Sequence, residues 1–269
     1  MMTVYKSFYS LSHTPFAKDV KTGDLFLSEN FSETIARLNY LKETRGIGLL
    51  TGEPGTGKTS ALRSFVNTLN SSLFKPVYFP MSTGSVMDFY RGISKGLGEE
   101  PRFRKVELFN QIQGSIKDYF YEKKITPVII LDEMQMASNK FLNDISIIFN
   151  FSMDSQNPFV LILAGLPFLM DRLSLNQNQA LAQRIVMRYK MDALKKDEVK
   201  KYIEHNLALA GATHEIFSPA AVEAIASRSK GWPRLVNKLA VNSRLLGYQL
   251  KADLINDDIV FKASEETGI

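Results

Sequence analysis

The sequence predicts an α/β domain built on a parallel sheet, with a smaller helical domain behind it. Up to about residue 191, short apolar runs alternate with segments of helical spacing, the pattern of repeated strand–helix units. Two of the runs, PVIILDE (127–133) and FVLILAG (159–165), are almost continuously apolar, as strands covered on both faces must be. Beyond residue 191, three helical segments follow one another with no strand between them.

The elements follow in chain order. NFSETIARLNYLKE (30–43) spaces Ile35, Leu38 and Leu41 as a helix, with Asn30 or Ser32 as its cap. GIGLLTG (46–52) is a short strand closed by glycine, and TSALRSFVNTLN (59–70) is a helix. PVYFPM (76–81) is a second strand, and residues 85–98 and 105–123 are two helices around the polar GEEPRFRK. KFLNDISIIFNF (140–151) is helical, as is LAQRIVMRYKM (181–191), which sets Arg184 and Arg188 one turn apart on one face. The last three helices are KKDEVKKYIEHNLALAG, SPAAVEAIASRSKG and WPRLVNKLAVNSRLLGYQL; Ser218 and Pro219 supply a cap and a first-turn residue. The boundary falls near MDALKKDE, giving an α/β domain with an N-terminal extension over 1–191 and a helical domain over 192–269.

Composition narrows the function. With no cysteine among 269 residues, a disulfide framework and a cysteine zinc site are excluded, which fits a cytoplasmic protein. No apolar run approaches the roughly 18 residues of a membrane span, and MMTVYKSFYSLSHTPF does not have the pattern of a signal peptide. From Met191 onward there are 11 basic and 11 acidic residues, so the first 190 carry the whole net charge of +5. That mild excess suits a polyanion partner or simple solubility equally. His13, His205 and His214 have no ligand spacing, and Trp232 reads as a packing residue.

The strongest chemical signal is GEPGTGKT, Gly52 to Thr59, a phosphate-binding loop between a strand and a helix. Its glycines let backbone N–H groups curl around phosphate oxygens, at the positive end of the helix that follows. The expected ATP contacts are Glu53, Pro54, Gly55, Thr56, Gly57, Lys58, Thr59 and Ser60. Lys58 reaches the β and γ oxygens of ATP, and Thr59 offers a hydroxyl to Mg²⁺. VIILDE (128–133) then brings Asp132 to a strand end, where it holds the metal's water shell. Glu133 beside it is placed to orient or deprotonate an attacking water, which a hydrolase needs. Arg184 or Arg188, inserted into a neighbouring copy's site, would stabilise charge on the γ-phosphate. In GWPRLVN, Pro233 fits a first helical turn and Arg234 follows, a cation against the helix dipole unless a phosphate is its partner. The strand ending at Ala164–Gly165 offers no polar group as a phosphate sensor.

GEPGTGKT, IILDEMQ, QRIVMRY and GWPRLVN, in that order, resemble the AAA+ ATPases of the ExeA/GspA type, and FYSLSHTPF (8–16) is similar to that group's N-terminal signature. The resemblance runs from about residue 5 to about residue 250. It implies a three-layer αβα P-loop NTPase with a C-terminal helical lid, Mg²⁺-dependent ATP hydrolysis and a homo-oligomeric ring or filament. Secretion members carry a membrane helix and a periplasmic domain, neither of which is read here. The expectation therefore moves to soluble relatives resembling the transposon target-selection ATPases of the TnsC, IstB and MuB type. Those bind double-stranded DNA without sequence preference and engage a transposase. On that reading Lys95, Arg102, Arg104 and Lys105, with Phe103 interleaved, contact phosphates, and Thr83 and Ser85 are weaker donors. The alternatives are a secretion-type assembly ATPase and a helicase loader or replication initiator.

Overall fold

The computed structural model describes residues 4–17, 20–81 and 85–269; Thr83 lies outside them. The chain runs through α1 (Val4–Phe8), α2 (Glu29–Thr44), β1 (Gly46–Gly52), α3 (Lys58–Thr68), β2 (Phe74–Pro80), α4 (Val86–Gly96) and α5 (Lys105–Lys117). It continues through β3 (Thr126–Asp132), α6 (Asn139–Ile148), β4 (Val160–Gly165), α7 (Phe168–Ser174), α8 (Gln179–Gln183) and β5 (Ile185–Met191). Helices α9 (Lys196–Leu209), α10 (Pro219–Ser229), α11 (Pro233–Gln249) and α12 (Asp257–Thr267) complete it.

Two compact units result. Of the described residues, one contains those of Glu33–Glu53 and Lys58–Met191; the other contains those up to Ser32, Pro54–Gly57 and Asp192–Ile269. The N-terminal extension therefore groups with the helical unit, not with the α/β domain to which the sequence reading assigns it.

The α/β unit is a five-stranded parallel sheet in the order β2-β3-β4-β1-β5. Strands β3 and β4 lie at its middle and are buried on both faces, which explains their unbroken apolar runs. Alternation along the strands sends Ile47, Leu49, Ile129, Leu131, Leu161 and Leu163 into one core with Phe89 and Ile93 of α4, Ile112 of α5 and Phe141 and Ile145 of α6. The rings of Phe89 and Phe141 meet edge to face, 4.5 Å between centroids. Helix α4 starts at a reciprocal cap: Ser85 Oγ accepts from Asp88 N at 3.3 Å and Asp88 Oδ2 accepts from Ser85 N at 2.8 Å. Ser85 is thus committed to capping the start of α4.

Two local readings are corrected. Helix α2 begins before Asn30 and Ser32, and its cap is Ser28, whose Oγ accepts from Phe31 N at 3.1 Å. Residues 185–191 are an edge strand, not a helix. Their burial alternates, with Ile185, Met187 and Met191 inward and Val186 and Arg188 outward, and this period of two prevails over the four-residue spacing of the arginines.

The helical unit packs α9 to α12 around its own core of Val199, Ile203, Ile225, Val236, Leu239 and Val260. The N-terminal residues are bound to it by specific contacts. Tyr9 is fully buried and its hydroxyl donates to the Ala252 carbonyl at 3.1 Å. Ser12 donates to the Ala210 carbonyl from both its N–H, at 2.9 Å, and its hydroxyl, at 3.0 Å. Buried Glu198 accepts from the N–H of Glu29 at 2.8 Å and from that of Lys195 at 2.9 Å.

Between α10 and α11 the chain reverses through two left-handed residues, Lys230 (φ +50°) and Gly231 (φ +75°). The Gly231 carbonyl accepts from Leu194 N at 2.9 Å, and a Cβ on Gly231 would stand 2.2 Å from the Leu194 carbonyl oxygen. Gly231→Ala is therefore expected to destabilise the protein by about 2–4 kcal/mol, through left-handed strain and overpacking against backbone. A urea titration checks this: the midpoint falls for Gly231→Ala and holds for Gly23→Ala, where a Cβ meets nothing within 4 Å.

Candidate functional site

Strand β1 ends at Gly52, and the chain curls through residues 53–57 into α3. Gly55 and Gly57 hold φ of +87° and +103°, which residues with a Cβ rarely adopt, so the curl depends on glycine. Gly55 meets a second requirement, since a Cβ there would lie 2.5 Å from Cβ of Arg234. Arg234 follows Pro233 in the first turn of α11, and its N–H donates to the Gly55 carbonyl at 3.3 Å. The loop tip Pro54–Gly57 and this helical turn belong to the same compact unit. Lys58 opens α3; its ammonium donates to the Gly52 carbonyl at 2.7 Å and the Glu53 carbonyl at 3.1 Å.

Thr56, expected as an ATP contact through the loop backbone, differs from its neighbours in burial. It stands between the two left-handed glycines and is only 2% exposed, whereas Glu53, Pro54 and Thr59 are exposed and Gly55, Gly57, Lys58 and Ser60 are partly so. The reason is packing: the Thr56 side chain is enclosed by protein and supports the loop from within. The accessible surface of the loop belongs to its neighbours.

Asp132 ends β3 with its side chain almost fully buried. Three donors surround its carboxylate: Thr59 Oγ1 at 3.1 Å and Tyr78 Oη at 3.1 Å to Oδ2, and the Glu133 N–H at 2.9 Å to Oδ1. Tyr78 is half-exposed on β2, whose register pairs Pro80 with Asp132. Partial burial first, then the charge of Asp132, pushes the Tyr78 phenol up to about 12. The sequence reading missed Tyr78. The available signal was its place two residues before the end of a strand that pairs with β3.

The pair of Thr59 hydroxyl and Asp132 carboxylate fits Mg²⁺. Both are hard oxygen donors, and one or two carboxylates per ion is the usual protein share when phosphates and water complete the shell. Among the described residues, no cluster of three or more His, Asp or Glu offers an alternative metal cage.

Glu133 has φ +58° and ψ +34°, a left-handed conformation in a residue other than glycine. Its carboxylate is exposed and accepts a hydrogen bond from Gln135 Nε2. Gln135 Oε1 in turn accepts from Leu166 N at 3.2 Å, just past the end of β4. Gln135 was given no role, although it closes the IILDEMQ stretch that carries part of the family resemblance.

The two arginines of residues 181–191 are separated by the change from helix to strand. Arg184 follows α8 and is half-buried, donating from Nη1 to the Ser146 carbonyl at 2.7 Å and from Nη2 to the Phe149 carbonyl. Arg188 is exposed on β5 and donates to the Ala182 carbonyl at 2.5 Å. They do not share a helical face.

The last turn of α4 and the connection to α5 present Lys95, Arg102 and Arg104 to solvent, with Phe103 88% exposed between the arginines. Lys105 differs. It pairs with the buried Asp144 carboxylate at 2.5 Å and lies 5.5 Å over the Tyr90 ring, so it neutralises an internal charge.

Residues 41–173 match the protein family described as AAA domain. General secretion pathway protein A of Aeromonas hydrophila is 28% identical over 99% of this chain and 49% of its own length. The chain thus spans about half the length of that curated relative. Among solved structures, Cdc6p from Pyrobaculum aerophilum matches 97% of this chain and 70% of its own, with a TM-score of 0.73 at 15% identity. Drosophila ORC bound to DNA matches 99% of this chain and 65% of its own, with a TM-score of 0.70 at 16% identity. The fold is that of the AAA+ P-loop NTPases, with a helical C-terminal region. Among the described residues, no helix is long and apolar enough to cross a membrane.

Because Arg184 satisfies two carbonyls of its own unit, Arg184→Ala should lower stability by about 1–3 kcal/mol with no nucleotide present. Thermal melts of the nucleotide-free protein test this. An unchanged melt would mean that those bonds hold nothing together.

Proposed function

We propose that this chain, which carries an AAA domain on the AAA+ P-loop fold, binds and hydrolyses ATP and uses that cycle to assemble on double-stranded DNA. The observation that carries the chemistry is the meeting of Thr59 and Asp132 at 3.1 Å, with Lys58 adjacent to one and Glu133 adjacent to the other. The loop backbone between Glu53 and Ser60 cradles the phosphates, with Thr56 shaping it from within, and Lys58 turns from its loop carbonyls to the β and γ oxygens. Thr59 and Asp132 hold Mg²⁺, which supplies charge neutralisation at the phosphates. Glu133 accepts a proton from the attacking water, and Arg234 engages the γ-phosphate as its partner at a helix start. A neighbouring copy contributes an arginine. Arg188, exposed and bound to one carbonyl of its own unit, suits that role better than half-buried Arg184, which is bound to two.

Lys95, Arg102 and Arg104 contact the DNA backbone without reading bases, and the partner is a transposase that the ATP-bound assembly recruits. Support comes from the exposed basic loop, the resemblance to transposon target-selection ATPases, and a fold shared with an ORC assembly bound to DNA. A second reading, a secretion-type assembly ATPase, is favoured by the similarity to General secretion pathway protein A along nearly the whole chain. Duplex binding, by fluorescence anisotropy with and without a non-hydrolysable ATP analogue, separates the two. ATP-dependent, sequence-tolerant binding supports the DNA reading, and its absence at low salt supports the secretion reading.

Lys58→Ala is expected to abolish nucleotide binding in an assay with a fluorescent ATP analogue. Glu133→Gln is expected to bind ATP but lose at least about 100-fold in turnover, the scale of a general base; wild-type phosphate release by this variant would refute the assignment. Changing Lys95 and Arg104 together to Ala should weaken DNA binding on all sequences and reduce the log–log salt slope by about 2. An unchanged slope would remove both from the interface.

A further inference from the structure

The end of β4 presents Ala164 and Gly165, neither of which offers a side-chain hydrogen bond. The structure supplies a polar group there from another element. Gln135, in the turn after β3, carries its amide to the end of β4, where Oε1 accepts from Leu166 N at 3.2 Å. Since that N–H can only donate, the amide's orientation is set: oxygen faces Leu166, and Nε2 faces the Glu133 carboxylate, to which it donates. Gly165 makes the arrangement possible. A Cβ there would lie 3.0 Å from Gln135 Oε1 and 3.3 Å from Gln135 N.

The backbone of Gln135 is held as firmly as its amide. Its carbonyl accepts from Arg172 Nη1 at 3.2 Å, and Arg172 Nη2 donates to Asn139 Oδ1 at 3.2 Å. Buried Asn178 donates to the Arg172 carbonyl at 2.7 Å. Glu133 lies beyond the strand in a left-handed turn with an exposed side chain, whose carboxylate accepts from the Gln135 amide.

We infer that Gln135 is a positioning residue for ATP hydrolysis: its amide spans Glu133 and the β4 end and fixes where the Glu133 carboxylate meets the attacking water. The inference rests on Glu133 as general base. Misplacing a reacting group by about 1 Å can cost on the order of 100-fold in rate.

The test uses the full chain with Mg²⁺-ATP and four proteins: wild type, Gln135→Glu, Gln135→Met and Glu133→Gln. Gln135→Glu keeps an acceptor for Leu166 N–H but sets a carboxylate against Glu133, while Gln135→Met keeps the volume and loses both bonds. The expected result is a kcat at least about tenfold lower in both Gln135 variants, with KM and affinity for a fluorescent ATP analogue within about twofold of wild type and unchanged melting of Gln135→Glu. A purely structural Gln135 would leave kcat of Gln135→Glu at the wild-type value, and that result overturns the inference. Wild-type turnover by Glu133→Gln would instead remove the base assignment, and this inference with it, whatever the Gln135 variants do.

Discussion

The buried carboxylate of Asp132 is the interaction on which the α/β unit depends. A carboxylate removed from water is costly unless donors surround it. Here the donors come from three parts of the chain: Thr59 on α3, Tyr78 on β2 and the Glu133 N–H in the turn beyond β3. Meeting that one charge fixes the start of the helix after the phosphate loop, the height of the edge strand and the direction in which the chain leaves β3. The same three contacts bring a hydroxyl and a carboxylate together as a hard-oxygen pair. The local requirement of folding and the requirement of the site are thus met by the same atoms.

The sheet makes the convergence possible. In a parallel sheet the carboxyl ends of the strands share one edge, which is where ligands of open α/β folds are held. Gly52, Asp132 and Gly165 end β1, β3 and β4, and each is followed by a turn that a regular strand could not make. After Gly52 the turn relies on positive φ at Gly55 and Gly57; after Asp132 it relies on a left-handed Glu133. At this edge the left-handed positions are Gly55, Gly57 and Glu133, while β3 and β4 behind it are regular and, apart from Thr126, buried.

How much of this was legible depended on how far apart the determining residues lie. Strands β1, β3 and β4 and the phosphate loop were readable because each is specified by neighbouring residues: an apolar run, a glycine pattern, a terminal carboxylate. Within that loop the pattern treats every position alike, so it did not show that Thr56 is enclosed while Glu53 and Pro54 are open. Strand β5 was misread although its alternation was present, because two arginines four residues apart imitate a helical face. The docking of the N-terminal residues was not readable. Tyr9 and Ser12 find their acceptors at Ala252 and Ala210, and no local pattern encodes a partner at that distance in sequence. Lys105 read as one cation of a basic loop, but its ammonium pairs with Asp144, which lies on a different helix.

Gly165 shows why a site residue can be sought in the wrong place. Read along its own strand, an Ala–Gly terminus means that a polar contact is missing. Read across the sheet, the glycine is the space that another side chain occupies, since any Cβ there would press on Gln135. The contact that the strand lacks is made by the turn next to it, and because that turn also carries Glu133, the end of β4 and the carboxylate are joined through one amide. What position 165 contributes is the absence of a side chain, and the physical meaning of that absence appears only when the neighbouring strand is beside it.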